Sequence, residues 1–84
     1  MRIIWTASAR QQYVTWEDRK IVRRINALIK DIQRDGDAAI GKPELLRGEL
    51  SGFASRRINE EHRLVYRVRD GDVEIVSCRF HCEK

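Results

Sequence analysis

The chain has 84 residues, 42% of them hydrophobic, with one proline and five glycines; it is too short for a second core and too apolar for a disordered segment, so residues 1–84 are expected to form one ordered domain. Seventeen Lys and Arg against thirteen Asp and Glu give a net charge of +4, and most of the cations are arginine, whose planar fork suits phosphate oxygens. Polyanions are therefore the first partners to consider and acidic protein segments the second. No apolar run reaches the length of a signal-peptide core or the ~20 residues that cross a bilayer, which predicts a cytoplasmic protein without membrane contact.

In chain order, Arg2 to Thr6 reads as a first strand centred on Ile3, Ile4 and Trp5. Ser8 with Gln11 three residues on has the form of a capping box and predicts a helix start. Tyr13 and Trp16 stand at helical spacing and are read as core aromatics. Ile21, Val22, Ile25, Leu28, Ile29 and Ile32 form one apolar stripe, with Lys20, Arg23, Arg24, Lys30 and Arg34 turned outward; this is an amphipathic helix whose basic outer face is read as solvated rather than as a nucleic-acid surface. Asp35-Gly36-Asp37 is expected to end it, and Ala38 to Gly41 to form a loop. Pro43 then opens a short turn through Glu44, Leu45 and Leu46, read as one helical turn with Pro43 at its first position.

The stretch Leu50 to Tyr66, LSGFASRRINEEHRLVY, reads as a hairpin, because apolar and arginine-bearing segments flank a short polar turn at Glu60-Glu61. Residues two apart in a strand share a face. If Ile58, Leu64 and Tyr66 face a core, Arg57 and Arg63 lie together on the other face, and His62 falls on the inward set as a packing residue. Asp70-Gly71 is a tight-turn signal, and Val73 to His81 the last strand. There, Val76, Cys78 and Phe80 are placed inward and Ile75, Ser77, Arg79 and His81 outward, since the reverse would bury Arg79 without an evident partner. The expected fold is α+β, β-α-α-β-β-β, an antiparallel sheet with two helices packed on one face. Cys78 and Cys82, four apart in one strand, would have Cα atoms roughly 13 Å apart against a disulfide reach of ~7 Å, so both are expected as free thiols.

Arg57, Arg63, Arg79 and His81 thus converge on one face. Arginines neutralise a phosphodiester, and a histidine with a pKa near ~6.5 can protonate a leaving oxygen. Glu44, in the segment leading into the hairpin, is the candidate base for a ribose 2′-hydroxyl, and acid and base each contribute ~10²–10⁴-fold. Arg56 and Cys82 complete the candidate RNA- or phosphate-contacting set. Singly, each has an ordinary reading: Glu44 as a helix N-terminal charge, Arg57 and Arg79 as paired surface residues, His81 as a surface histidine. Their shared face favours the joint reading. Cys78, His81 and Cys82 do not make a zinc site, because alternation puts His81 opposite both cysteines and no fourth ligand has suitable spacing; no metal or cofactor is expected.

The chain resembles the YoeB/Txe family of bacterial toxins, within the RelE/ParE superfamily, over nearly its whole length. The resemblance rests on Ile4-Trp5, Tyr13 and Trp16, the helix from Lys20 to Asp31, Gly41-Lys42-Pro43-Glu44, the stretch Leu50 to Tyr66, and Cys78-Arg79-Phe80-His81. It implies a RelE-like fold and a ribosome-dependent endoribonuclease that cuts messenger RNA without a metal and arrests translation. By the same resemblance the catalytic glutamate is Glu44, the active-site arginines are Arg63 and Arg57, and the C-terminal histidine is His81. The implied partners are an acidic antitoxin of the YefM/Phd kind, the ribosome and messenger RNA, a second copy of the chain, and operator DNA only through the antitoxin complex. The end of the chain departs from the family pattern: Cys82-Glu83-Lys84 follow His81 where a tyrosine is expected, and cysteine cannot stack on a base. Two alternatives are a ParE-like inhibitor that blocks DNA gyrase by binding, and a degenerate toxin that only binds its antitoxin.

Overall fold

The computed structural model describes residues 1–34 and 39–79. Strand β1 (Arg2–Trp5) leads directly into helix α1 (Ala7–Val14). The helix starts earlier than the Ser8–Gln11 pattern suggests, because Thr6 serves both elements: its N–H still donates to the Ile75 carbonyl at 3.1 Å, while its Oγ1 accepts from the Ala9 N–H at 3.1 Å. Thr6 is extended, the usual conformation of an N-cap. Helix α2 (Arg19–Gln33) is capped by Asp18, whose side chain accepts from the Lys20 N–H at 2.9 Å.

The predicted stripe on α2 is the one that is buried. Ile25, Leu28, Ile29 and Ile32 sit in the core, each contributing about 1.5–3 kcal/mol of transfer free energy, and Lys20, Arg23, Lys30 and Arg34 are exposed. Arg24 is half-buried and donates to the Arg57 carbonyl at 3.2 Å, tying α2 to the sheet. The helix end expected at Asp35-Gly36-Asp37 lies outside the described residues. No helix among the described residues is long and apolar enough to cross a membrane.

Four further strands follow: β2 (Glu44–Leu45), β3 (Ala54–Arg57), β4 (Arg63–Arg69) and β5 (Asp72–Ser77), and the sheet order is β1-β5-β4-β3-β2. β3, β4 and β5 form the expected antiparallel meander, but β1 pairs with β5 in parallel, so the sheet is mixed rather than antiparallel. A parallel neighbour needs a long crossover, and the whole chain between β1 and β5 provides it. The second correction is at Pro43. Glu44 and Leu45 form a two-residue edge strand opposite Ser55 and Ala54 instead of a helical turn; the missing N–H of the preceding proline costs nothing at a sheet edge. The helical turn falls later, as a 3₁₀ turn over Gly48–Leu50.

Both helices cover one face of the sheet, and Ile58, Leu64 and Tyr66 face them as expected, with Val73 and Ile75 beside them. His62 is buried and meets the Trp16 ring edge-on at 4.7 Å, a packing role that agrees with its predicted inward side. Asp70 and Gly71, at φ +55° and +80°, make the tight β4–β5 turn. Along β5 the predicted alternation fails by one residue. Ser77 pairs with Val65 but Ile75 with Tyr66, leaving Val76 as a bulge, so Ile75 is fully buried and Val76 half-buried, while Cys78 returns to the core. Cys78 is a free thiol, and burial pushes it up to about 11.

Arg56 overturns its assignment as a phosphate contact. It is 4% exposed on the helix-covered face, ion-paired with Asp31 of α2, and donates to the Tyr66 hydroxyl and the Ile40 carbonyl at 3.1 Å each. Burial alone would lower its pKa, but the bonds to Asp31 and Tyr66 outweigh it and raise the pKa. The segment that brings Ile40 there passes close between α2 and β3. Gly41 has φ +82°, accepts from the Arg57 N–H at 2.7 Å, and a Cβ on it would stand 2.8 Å from Leu28 Cδ2 and 3.0 Å from the Arg57 carbonyl oxygen. Only glycine fits that passage.

Candidate active site

On the open face, the β2–β3–β4 end of the sheet forms a groove of about 490 Å³. Its geometry follows from strand register. Ser55 stands between Glu44 on β2 and Val65 on β4, and Arg57 stands opposite Arg63. By alternation Ser55 and Arg57 share the open face of β3, and Arg63 and Val65 that of β4. All five line the groove. Arg63 Nη2 donates to Glu44 Oε1 at 3.1 Å, and its Nε donates to Ser55 Oγ at 2.9 Å. The Arg63 side chain is only 19% exposed, whereas that of Glu44 is 67% exposed. The arginine is held in the wall, and the carboxylate stands at the mouth.

Two more cations line the groove. Arg57 is exposed, and among the described residues nothing pairs with its guanidinium; the same holds for Arg47, which follows β2. Three guanidiniums thus face two carboxylates, Glu44 and Glu60, over an apolar floor of Leu46, Leu50 and Val65. Asn59 closes the far end, its Oδ1 accepting from the backbone N–H of Glu61 and His62 at 2.8 Å each and so shaping the β3–β4 loop. Such a groove attracts a phosphodiester through its arginines and offers an exposed carboxylate beside it.

Of the residues picked from the sequence, Glu44, Arg57 and Arg63 are brought together. Arg79 is not: its guanidinium lies 3.9 Å from the Trp16 ring and donates to Thr15 Oγ1 at 3.4 Å, and it does not line the groove. The reason is the end of β5 at Ser77, after which alternation no longer dictates direction and stacking on an aromatic face is favourable. His81 and Cys82 lie outside the described residues. Sequence reasoning did not pick Arg47, Ser55 or Asn59. Ser55 carries a readable signal, standing two residues before Arg57, whereas Arg47 and Asn59 lie outside the strands and have none. Among the described residues, no three His, Cys, Asp or Glu side chains gather in a metal-holding group.

The family model of the YoeB-like toxin of bacterial type II toxin-antitoxin systems matches residues 5–82. The chain belongs to this family. It is 50% identical to Toxin YoeB of Synechocystis sp. over an 86-residue alignment covering 100% of both chains. Among solved structures, the YoeB/ParE toxin from Agrobacterium tumefaciens superposes with a TM-score of 0.91 at 45% identity, over 96% of this chain and 99% of that one. A YoeB–YefM complex from Staphylococcus aureus gives 0.89 at 44% identity, over 96% and 97% of the two chains. A YoeB dimer from the same organism gives 0.88 at 45% identity with the same coverage.

The rest of the open face of this YoeB-family chain is different in kind. Arg67 donates to Glu74 at 2.6 and 2.8 Å and lies over the Phe53 ring at 4.7 Å. Arg2 and Asp72 make a two-bond pair at 3.1 and 3.2 Å, which raises the Arg2 pKa and holds the Asp72 carboxyl below its usual range. Here every cation named has a carboxylate of its own.

Proposed function

We propose that this chain is the toxin of a type II toxin-antitoxin pair and acts as a ribosome-dependent endoribonuclease that cuts messenger RNA and arrests translation. The observation that carries the proposal is the Glu44 carboxylate, 3.1 Å from Arg63 Nη2, exposed at the mouth of a groove lined by Arg47, Arg57 and Arg63. Glu44 takes the proton of a ribose 2′-hydroxyl. The 2′-oxygen forms a bond to phosphorus as the bond to the 5′-oxygen breaks, leaving a 2′,3′-cyclic phosphate. Arg63 and Arg57 stabilise the charge that builds on the non-bridging oxygens. His81 protonates the departing 5′-oxygen, a role it takes from the family resemblance.

Family membership supports the partners. S. aureus YoeB is known in complex with YefM and as a dimer, and for this chain we propose an acidic antitoxin of the YefM kind, a homodimer, the ribosome with its messenger, and operator contact through the antitoxin. An acidic segment folding over the arginine-lined groove would neutralise it. The test is primer extension on cellular messenger after expression without antitoxin. Wild type should leave cuts in translated messenger, and Glu44→Gln should lower cleavage by ~10²–10⁴-fold. Growth arrest with intact messenger, together with inhibition of purified gyrase in a supercoiling assay, would replace this reading by a ParE-like one.

A further inference from the structure

Arg63 is held at two points, and the two anchors differ in what happens to them during the reaction. Its Nη2 bonds Glu44 Oε1 at 3.1 Å, the group that must turn toward the 2′-hydroxyl and become neutral on taking its proton. Its Nε bonds Ser55 Oγ at 2.9 Å. Ser55 is 1% exposed and sits in the middle strand of three, with Glu44 paired on one side and Val65 on the other. Its hydroxyl is neutral throughout and stands on a backbone held on both sides by the sheet.

We infer that Ser55 is a positioning residue, which holds the plane of the Arg63 guanidinium toward the scissile phosphate while Glu44 releases it. This rests on the proposed nuclease function of the same groove. A guanidinium carries five N–H donors. With Nε committed to Ser55, rotation about the last side-chain bond is blocked, and the remaining donors stay directed into the groove. Without the hydroxyl, Arg63 keeps only the bond to Glu44 and loses its aim at the step when that bond weakens, since a hydrogen bond to a neutral acid is weaker than one to a carboxylate. Ser55 touches no reacting atom; it acts through Arg63.

The experiment uses the full chain in four forms: wild type, Ser55→Ala, Arg63→Lys and the double variant. Ser55→Ala removes one oxygen and little volume. On ribosome-bound messenger its maximal cleavage rate should fall about 10- to 100-fold, with the half-saturating ribosome concentration within about 2-fold of wild type. Because lysine has no Nε–H to anchor, Ser55→Ala in the Arg63→Lys background should cost less than about 2-fold more. In the RNA-free protein, the Arg63 Nε–H should give a slowly exchanging NMR signal in wild type that is lost in Ser55→Ala. A wild-type rate in Ser55→Ala, an undiminished loss in the Arg63→Lys background, or an unchanged Nε–H signal would overturn the assignment. If wild type itself fails to cleave, the functional reading falls, and the NMR signal still decides whether Ser55 anchors Arg63.

Discussion

Arg56 and Arg57 are neighbours on one strand with opposite fates. Arg56 points under the helices, where Asp31, Tyr66 and the Ile40 carbonyl take up its guanidinium; Arg57 points into the open groove, where among the described residues nothing pairs with it. The period of two in a strand separates them, and the environment of each face does the rest. A buried guanidinium has to be fully partnered or it costs several kcal/mol, so the core face turns an arginine into a strut. The open face leaves arginines available in the groove, where three guanidiniums face two carboxylates, unlike the one-to-one Arg67–Glu74 and Arg2–Asp72 pairs. A +4 chain is therefore not uniformly adhesive. Among the described residues of the open sheet face, the arginines without a carboxylate of their own lie at the β2–β3–β4 end.

The contrast can be broken by exchanging effects between the two arginines. Arg56→Ala should lower unfolding free energy by about 3–5 kcal/mol, because it removes the guanidinium that pairs with the buried Asp31 carboxylate. Arg57→Ala should stay within about 0.5 kcal/mol of wild type, yet lower messenger cleavage. Urea denaturation and primer extension on the same two variants read both effects, and a destabilised Arg57→Ala with a stable Arg56→Ala would invert the two faces.

A second measurement sharpens the core side through pH. Burial pushes the Cys78 thiol up to about 11 from its ordinary value of 9.0. The unfolded chain therefore loses this proton first, and the thiol's contribution is complete below pH ~9 and lost as pH rises toward ~11. The loss should be about 2–3 kcal/mol. Denaturation across that window should be flatter for Cys78→Ala than for wild type, and parallel curves would show that the thiol is not shielded. The smallest effect belongs to the neutralised end of the open face. Arg67→Ala should change stability by no more than about 1 kcal/mol and weaken further in high salt, with cleavage unchanged; a loss of cleavage would extend the functional surface beyond the groove.

How much of this was legible depends on whether a residue sits inside a regular element. The α2 stripe and the inward set Ile58, Leu64 and Tyr66 could be read directly because both periods are strict. The same reasoning carried Arg57 and Arg63 onto one face and could have added Ser55. It failed at Val76, where a bulge shifts the phase by one residue, and at Arg79, which lies past the end of β5. At Arg56 the alternation holds: it places the side chain opposite Arg57, in the core rather than among the phosphate contacts. At Pro43-Glu44 the local pattern reads as a helical turn, and it is pairing with β3 that makes Glu44 and Leu45 an edge strand instead.

The sequence by itself determined the two helices, the meander, the tight turn at Asp70-Gly71 and the pairing of Arg57 with Arg63, since each follows from periodicity or turn chemistry within a few neighbouring residues. Only the tertiary structure decided that β1 runs parallel to β5, that Glu44 stands on an edge strand within reach of Arg63, and that Arg56 belongs to the core. Those outcomes join residues between 19 and 70 positions apart. Their energies come from packing, register and buried ion pairing, which no local pattern encodes.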